Sequence, residues 1–236
     1  MGQLVLGNVP RVVGTVSTTA MLRRVMSRLH LPCDILEARM DSPEADPEIW
    51  LPLCRRLGQK GYPVLLTLRA LDEGGGWRGT DEAREALYRK ALPYVAAVDV
   101  EIQSGLLPAV ARAARREGRL VIGSFHDFED TPSAGPLRRL MNRGYAAGAH
   151  LVKIATMIRR LRDVAELFDV LRDEQERPLC LIGMGPLGRH SRTSLACAGS
   201  MLTYGYLDRP AAPGQLSCRE LVRRLGEDLP GFERRA

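Results

Sequence analysis

Residues 119–155 read RLVIGSFHDFEDTPSAGPLRRLMNRGYAAGAHLVKIA and contain one strand, one helix and a second strand. Arg119–Phe125 and His150–Ala155 are apolar runs of strand length, and the stretch between them has apolar residues at helical spacing. Thr131 and Pro132 predict a helix N-cap followed by proline at the first helical position. A strand, a helix and a strand in this order predict a parallel sheet.

The same alternation extends outward through the rest of the chain. Thr80 and Ser217 predict two further helix N-caps. Apolar runs bounded by breakers predict eight strands: Arg11–Val16, Asp34–Arg39, Pro63–Arg69, Ala97–Ile102, Arg119–Phe125, His150–Ala155, Pro178–Gly183 and Ser200–Gly205.

Eight βα units in 236 residues predict an α/β protein with a single (β/α)₈ TIM barrel domain over residues 1–236. A doubly wound sheet is the alternative. It is disfavoured because Ser17-Thr18-Thr19 follow the first strand, where a dinucleotide site would have G-x-G-x-x-G.

Composition narrows the classes of function. The net charge is +6, from 34 basic and 28 acidic residues, and 5% of residues are aromatic. The arginines are scattered and often adjoin acids, so we expect no nucleic-acid partner and a small anionic substrate instead.

No apolar run approaches the ~18 residues of a membrane span. The opening MGQLVLGNVP lacks the features of a secretory signal, which favours a cytoplasmic location. Five widely spaced cysteines without a Cys-x-x-Cys pair predict reduced thiols and no metal site.

Polar side chains recur on one face of several strands, near the C-terminal ends where barrel active sites form. Because a buried charge is costly unless paired, one such group per strand indicates a functional site. The residues that share this face are Ile35, Glu37 and Arg39 in the second strand, Leu65, Thr67 and Arg69 in the third, Glu101 in the fourth, Ile122, Ser124 and His126 in the fifth, and Leu151, Lys153 and Ala155 in the sixth.

Lys153 stands within the apolar run Leu151–Ala155. Desolvation and neighbouring cations disfavour the ammonium form of such a lysine, and a neutral amine can attack a carbonyl to form a Schiff base. Two structural alternatives remain open: an outward lysine between helices, or one paired with Glu37 or Glu101. His126 ends the fifth strand and could act as a base near neutral pH, although a lone histidine at a strand end is more often structural.

Seven segments in chain order form a specific combination: Leu36–Asp41, Arg69 with Glu73-Gly74-Gly75, Val98–Glu101, Ser124–Phe128, Gly148–Ala155, Met184–Arg192 and Ala212–Gln215. Together they resemble the type I 3-dehydroquinate dehydratase family, the Schiff-base lyases of the shikimate pathway. The resemblance covers nearly the whole chain. It implies a cofactor-free (β/α)₈ barrel that forms a homodimer and takes part in aromatic amino acid biosynthesis.

The resemblance also implies roles for individual residues. Lys153 forms an imine with the C3 ketone of 3-dehydroquinate, and His126, helped by Glu73, removes a C2 proton and protonates the departing C1 hydroxyl. Arg192 binds the substrate carboxylate, and Gln215 helps to hold the substrate. The remaining residues orient the ring hydroxyls and keep the lysine reactive: Glu37, Arg39 and Arg69.

One position departs from the family pattern. A serine is common four positions before the closing-loop glutamine, and Ala211 stands there. Losing that hydrogen bond weakens substrate binding by about 0.5–1.5 kcal/mol and leaves the chemistry intact. Two other functions stay open: another Schiff-base barrel, such as a class I aldolase acting on a sugar phosphate, and a non-catalytic barrel that binds a shikimate-like ligand.

Overall fold

The computed structural model describes Gly7 and residues 9–28, 30–210 and 214–232. Within these ranges, eight strands form one parallel sheet in the order β7-β6-β5-β4-β3-β2-β1-β8. The Met201 N–H donates to the Leu179 carbonyl (2.8 Å) and joins the start of the last strand to the seventh, so the sheet curves into a barrel. The strands are β1 (Arg11–Val16), β2 (Ile35–Arg39), β3 (Val64–Thr67), β4 (Ala97–Glu101), β5 (Leu120–Asp127), β6 (Leu151–Met157), β7 (Leu179–Met184) and β8 (Leu202–Tyr206).

Helices follow the strands, which confirms the predicted (β/α)₈ barrel. They are α1 (Thr19–Ser27), α2 (Pro47–Gln59), α3 (Asp81–Ala91), α4 (Leu107–Arg116), α5 (Ala134–Ala146), α6 (Leu161–Asp173), α7 (Gly185–Gly188), α8 (Ser191–Cys197) and α9 (Cys218–Asp228). Two predicted caps are confirmed: the hydroxyls of Thr80 and Ser217 accept from the N–H groups of Ala83 (3.2 Å) and Glu220 (3.1 Å).

The cap predicted at Thr131 is wrong. Helix α5 begins at Ala134, and Pro136 lies in its first turn, where proline is also tolerated. The Thr131 hydroxyl instead donates to the Met157 carbonyl at 2.7 Å, which fastens the loop after β5 to the end of β6. A tertiary contact therefore replaces the local capping contact that the sequence suggested.

The alternation of side chains along the strands divides the apolar residues into two layers. Inside the barrel, Val13, Ile35 and Leu65 belong to one buried cluster. Outside it, residues such as Leu36 and Val152 pack in the cluster between sheet and helices. The predicted assignment of strand faces is thus confirmed, and the polar members of the inner face lie above the apolar ones, toward the strand C-termini.

Four strands extend beyond their predicted ends: β5 continues to Asp127, β6 to Met157, β7 to Met184 and β8 to Tyr206. The extension of β5 places His126 on a rigid strand, where its Cα pairs with Ala155 of β6. All five cysteines are free thiols. Among the residues that the structure describes, no helix is both long and apolar enough to cross a bilayer.

Candidate active site

A cavity opens at the C-terminal ends of the strands, where barrel enzymes carry their active sites. The structure brings all eight sequence-predicted residues to it: Glu37, Arg39, Arg69, Glu73, His126, Lys153, Arg192 and Gln215. A second cavity lies at the opposite end of the barrel, around Leu179 and Ser200, and contains none of them. No three His, Cys, Asp or Glu side chains within the described ranges are grouped to hold a metal ion.

Lys153 points into the barrel and is only 3% exposed. Its Nζ lies 2.6 Å from Asp99 Oδ2 and 4.7 Å from the centroid of the Tyr204 ring. An outward, snorkelling lysine is therefore excluded. The carboxylate partner is Asp99 and not Glu37 or Glu101, the two partners expected from the sequence.

Asp99 is fully buried and connects the amine to two further groups. Its Oδ1 accepts hydrogen bonds from Arg69 Nη2 and Ser124 Oγ, both at 2.5 Å. Burial alone would raise the pKa of Asp99, but the charges of Arg69 and Lys153 outweigh burial and hold it well below its usual range. The lysine therefore faces a permanent carboxylate anion.

Arg69 occupies the centre of the buried charges. Its Nη1 donates to Ser124 Oγ at 2.6 Å and lies 3.2 Å from Glu101 Oε1 and 3.8 Å from Glu73 Oε2. Burial alone would lower the pKa of Arg69, but Asp99, Glu101 and Glu73 outweigh it and raise the pKa. Since Arg69 and Asp99 have oppositely charged partners, both can remain ionised without solvent.

His126 and Glu73 form a second pair beside the amine. His126 Nδ1 lies 2.8 Å from Glu73 Oε2, and the His126 backbone N–H donates to the same oxygen at 3.0 Å. Burial, followed by the charges of Arg69 and Lys153, holds the pKa of His126 well below its ordinary value, so the imidazole is neutral at physiological pH. Burial also raises the pKa of Glu73 to about 8.

A glycine turn holds Glu73 in place. The 3₁₀ turn Leu71–Glu73 ends at Gly74, which has a φ of 74° and lies against the Phe128 ring. A Cβ at Gly75 would lie 2.0 Å from the Arg69 carbonyl oxygen, so only glycine fits this close approach. The Glu-Gly-Gly sequence thus serves to bring one carboxyl group back over the barrel mouth.

Glu37 and Arg39 line the side of the cavity formed by β2. Both oxygens of Glu37 accept hydrogen bonds at 2.9 Å, one from Thr15 Oγ1 and one from Thr67 Oγ1. Arg39 makes a two-pronged ion pair with Asp41, with distances of 2.9 and 2.7 Å. These contacts fix both side chains before any ligand binds.

Arg192 is a buried cation without a carboxylate partner in the part of the chain that the structure describes. Its Nη1 donates to the Tyr204 carbonyl at 3.2 Å, while its Nε has no partner there. Burial lowers the pKa of Arg192 to about 10, which leaves the side chain charged at neutral pH. An unpaired buried guanidinium favours binding of an anion. Gln215 lines the same cavity, whereas Ala211, Ala212 and Pro213 lie outside the described residues.

Sequence reasoning missed two site residues, Asp99 and Tyr204. Asp99 did leave a signal, because it is an acid between two valines on a buried strand. Tyr204 left none, since an aromatic residue in the last strand is ordinary core composition.

The cavity thus holds a buried lysine, a neutral imidazole and an arginine that has no carboxylate partner among the described residues. This set is typical of a class of protein: a barrel enzyme whose lysine can form an imine. Comparison with known proteins points to a single enzyme family. A family model described as type I 3-dehydroquinase matches residues 12–228. The 3-dehydroquinate dehydratase of Methanocella arvoryzae is 34% identical over 217 residues, which cover 92% of this chain and 95% of the relative. That of Methanococcoides burtonii is 33% identical and covers 92% and 93%.

Solved structures of 3-dehydroquinate dehydratases have the same fold as this chain. The 3-dehydroquinate dehydratase of Geobacillus kaustophilus superimposes with a TM-score of 0.83 at 26% identity, covering 94% of this chain and 93% of that one. The type I enzyme of Clostridium difficile, solved with covalently modified comenic acid, gives a TM-score of 0.85 at 25% identity, with 95% and 94% coverage. The chain belongs to the type I 3-dehydroquinase family.

Proposed function

We propose that this chain converts 3-dehydroquinate into 3-dehydroshikimate and water through an imine on Lys153. The observation that carries the proposal is the position of the Lys153 amine, which is buried inside the barrel and shares its cavity with the His126–Glu73 pair. This arrangement supplies the two groups that the elimination needs, an amine for the ketone and a base for the carbon next to it.

The first step forms the imine. The Lys153 ammonium gives one proton to water, and the neutral amine attacks the C3 carbonyl to form a carbinolamine. A proton taken back from water lets the carbinolamine hydroxyl leave as one water, which leaves a protonated C=N bond. Asp99, 2.6 Å from Nζ, stabilises the positive charge on that nitrogen as it did the ammonium. The protonated imine draws electrons from the neighbouring C2–H bond and makes the C2 proton removable.

The second step is the elimination. Neutral His126 takes the C2 proton, the electron pair moves into the imine system, and the same imidazole returns the proton to the departing C1 hydroxyl. Hydrolysis of the product imine then consumes one water and frees Lys153. Because imine formation released one water, the net change is loss of a single water from the substrate.

The other cavity residues bind the substrate. Arg192, without a carboxylate partner among the described residues, pairs with the substrate carboxylate, and Gln215 helps to hold the ring. Glu37 and Arg39 orient the ring hydroxyls. Arg69 is held by Asp99 and Ser124, and its role is to keep the carboxylate beside Lys153 in place.

An absorbance assay tests the proposed activity. Incubation with 3-dehydroquinate should produce the rising absorbance of a conjugated enone, because the product has a C=C bond next to the ketone. Absence of enone with 3-dehydroquinate, combined with cleavage of a sugar phosphate, would support an aldolase instead. Binding without turnover would support the non-catalytic barrel.

Glu73 gives the reaction a defined pH dependence. Its pKa of about 8 means that the carboxyl group is largely protonated at neutral pH and ionises as the pH rises. The ionised form accepts the Nδ1–H of His126 and leaves Nε2 free as the base, so kcat/KM should increase with pH and level off above about pH 8. A kcat/KM profile from about pH 6 to pH 10 measures this.

The matched variant is Glu73→Gln, which cannot ionise but still accepts from Nδ1. Its kcat/KM should lose the rise near the wild-type pKa. If wild-type kcat/KM instead declined with increasing pH in that range, the assignment of Glu73 as the ionising partner of His126 would be wrong.

We also infer that the 236 residues form one catalytic domain, that the protein is a homodimer and that it acts in the cytoplasm. Membership of the type I 3-dehydroquinase family supports both the dimer and the location. Light scattering at several protein concentrations tests the oligomeric state, and a mass equal to one chain would contradict the dimer.

A further inference from the structure

Tyr204 lies between the two groups that are proposed to hold the substrate. It is an inward residue of β8, 6% exposed, and its ring lines the cavity. Lys153 Nζ lies 4.7 Å from the ring centroid, and the Tyr204 backbone carbonyl accepts from Arg192 Nη1 at 3.2 Å. A ligand bound to both Lys153 and Arg192 therefore lies against this side chain.

The Tyr204 hydroxyl is buried and has no hydrogen-bond partner among the described residues. Other buried or half-buried tyrosines differ, since Tyr88 donates to the Asp99 carbonyl and Tyr145 to the Pro178 carbonyl, each at 2.7 Å. An unpaired buried hydroxyl lowers folding stability, so folded proteins satisfy nearly all such groups. Phenylalanine would place the same ring beside Lys153 without that cost.

The hydroxyl is available as a donor. Burial raises the pKa of Tyr204 well above its ordinary value, and the charges of Glu37 and Asp99 raise it further. The phenol therefore keeps its proton over the whole working range of pH. A donor in this position needs an acceptor that arrives with the ligand.

We propose that the Tyr204 hydroxyl donates a hydrogen bond to an oxygen of the bound substrate. The inference rests on the proposed function and assigns a substrate-binding residue to it. The oxygens of 3-dehydroquinate are suitable acceptors for such a donor.

The variant Tyr204→Phe tests this with two measurements that should move in opposite directions. The melting temperature of the free protein should rise by about 2–4 °C, because the unsatisfied hydroxyl is gone. At the same time kcat/KM for 3-dehydroquinate should fall about tenfold, mainly through a higher KM, because one hydrogen bond to the substrate is lost. Unchanged kcat/KM, or a lower melting temperature, would overturn the proposal.

Tyr145→Phe is the matched control. The Tyr145 ring also lies against a cation, because the Arg177 guanidinium is 4.3 Å from the ring centroid. The Tyr145 hydroxyl, however, donates a hydrogen bond to the Pro178 carbonyl. This variant should melt at a lower temperature and keep wild-type kcat/KM.

Borohydride trapping on the wild-type protein separates the proposed role of Tyr204 from the proposed function. Without a wild-type adduct the proposed function fails, whereas an adduct with equal kcat/KM in wild type and Tyr204→Phe removes only the role of Tyr204.

Discussion

Lys153→Met abolishes measurable dehydration of 3-dehydroquinate, with an expected loss in kcat/KM of roughly 10⁴-fold or more. The reason is chemical, since methionine has about the length of lysine but no nitrogen to form the imine, and without the imine nothing withdraws electrons from the C2–H bond. The measurement is the rate of enone formation at saturating and at low substrate.

Folding must be checked separately, because Lys153→Met leaves Asp99 with one charged partner fewer. Arg69 and Ser124 still donate to Asp99 Oδ1, so the carboxylate is not left alone. Lys153→Arg keeps a cation beside Asp99 and likewise cannot form an imine. If either variant shows the circular dichroism of the wild type and also retains more than about a hundredth of its kcat/KM, covalent catalysis by Lys153 is excluded.

His126→Ala is the second large effect. Turnover should fall by about 10²–10⁴-fold, the usual contribution of a positioned general base. Imine formation should persist, because the amine and Asp99 are untouched. The backbone N–H of residue 126 still donates to Glu73 in this variant, so Glu73 keeps one of its two hydrogen bonds to that residue.

Two measurements on the same sample separate the steps: steady-state kcat, and the amount of protein trapped by borohydride. The exposed His30 supplies the control, and His30→Ala should leave both unchanged. Wild-type turnover in His126→Ala would remove the imidazole from the base role, and loss of trapping would show that it takes part in forming the imine.

The alternation of the sequence was enough to predict the barrel and the inner faces of its strands. Glu37, Lys153 and His126 were recognisable because a charged or ionisable side chain interrupts an apolar strand at a position that must face inward. The period of two along a strand is a local property, and local properties can be read from one sequence.

Pairing across the barrel could not be read in this way. Asp99 and Glu101 share one face of β4, and nothing in Val98–Glu101 indicates which of them meets Lys153. The strand register alone does not decide it, because Glu101 pairs with Ser124 and Ser124 with Lys153, whereas Asp99 pairs with Ile122, two residues earlier on β5. Glu101 is held elsewhere, since it accepts from the Ala70 N–H and from Arg84 Nη1. The partner of Lys153 is therefore set by tertiary contacts that a single strand does not reveal.

The buried charges of the barrel are explained by function and not by a need for stability. Arg69, Asp99 and Lys153 form a fully buried cluster that an apolar core of similar volume could replace without loss of stability. Its presence at the strand C-termini, above an apolar lower layer, is explained by the chemistry of the amine.

The central claim is that the nitrogen of Lys153 becomes covalently bound to the substrate. The chain has three lysines, at positions 60, 90 and 153, so the site can be mapped without ambiguity. The protein is incubated with 3-dehydroquinate, reduced with borohydride and digested with trypsin, and the peptide masses are measured by mass spectrometry. We expect the added mass on one peptide that runs from Gly144 to Arg159, because a modified Lys153 is no longer cleaved. An unmodified chain, or added mass on Lys60 or Lys90 with none on Lys153, would contradict the mechanism.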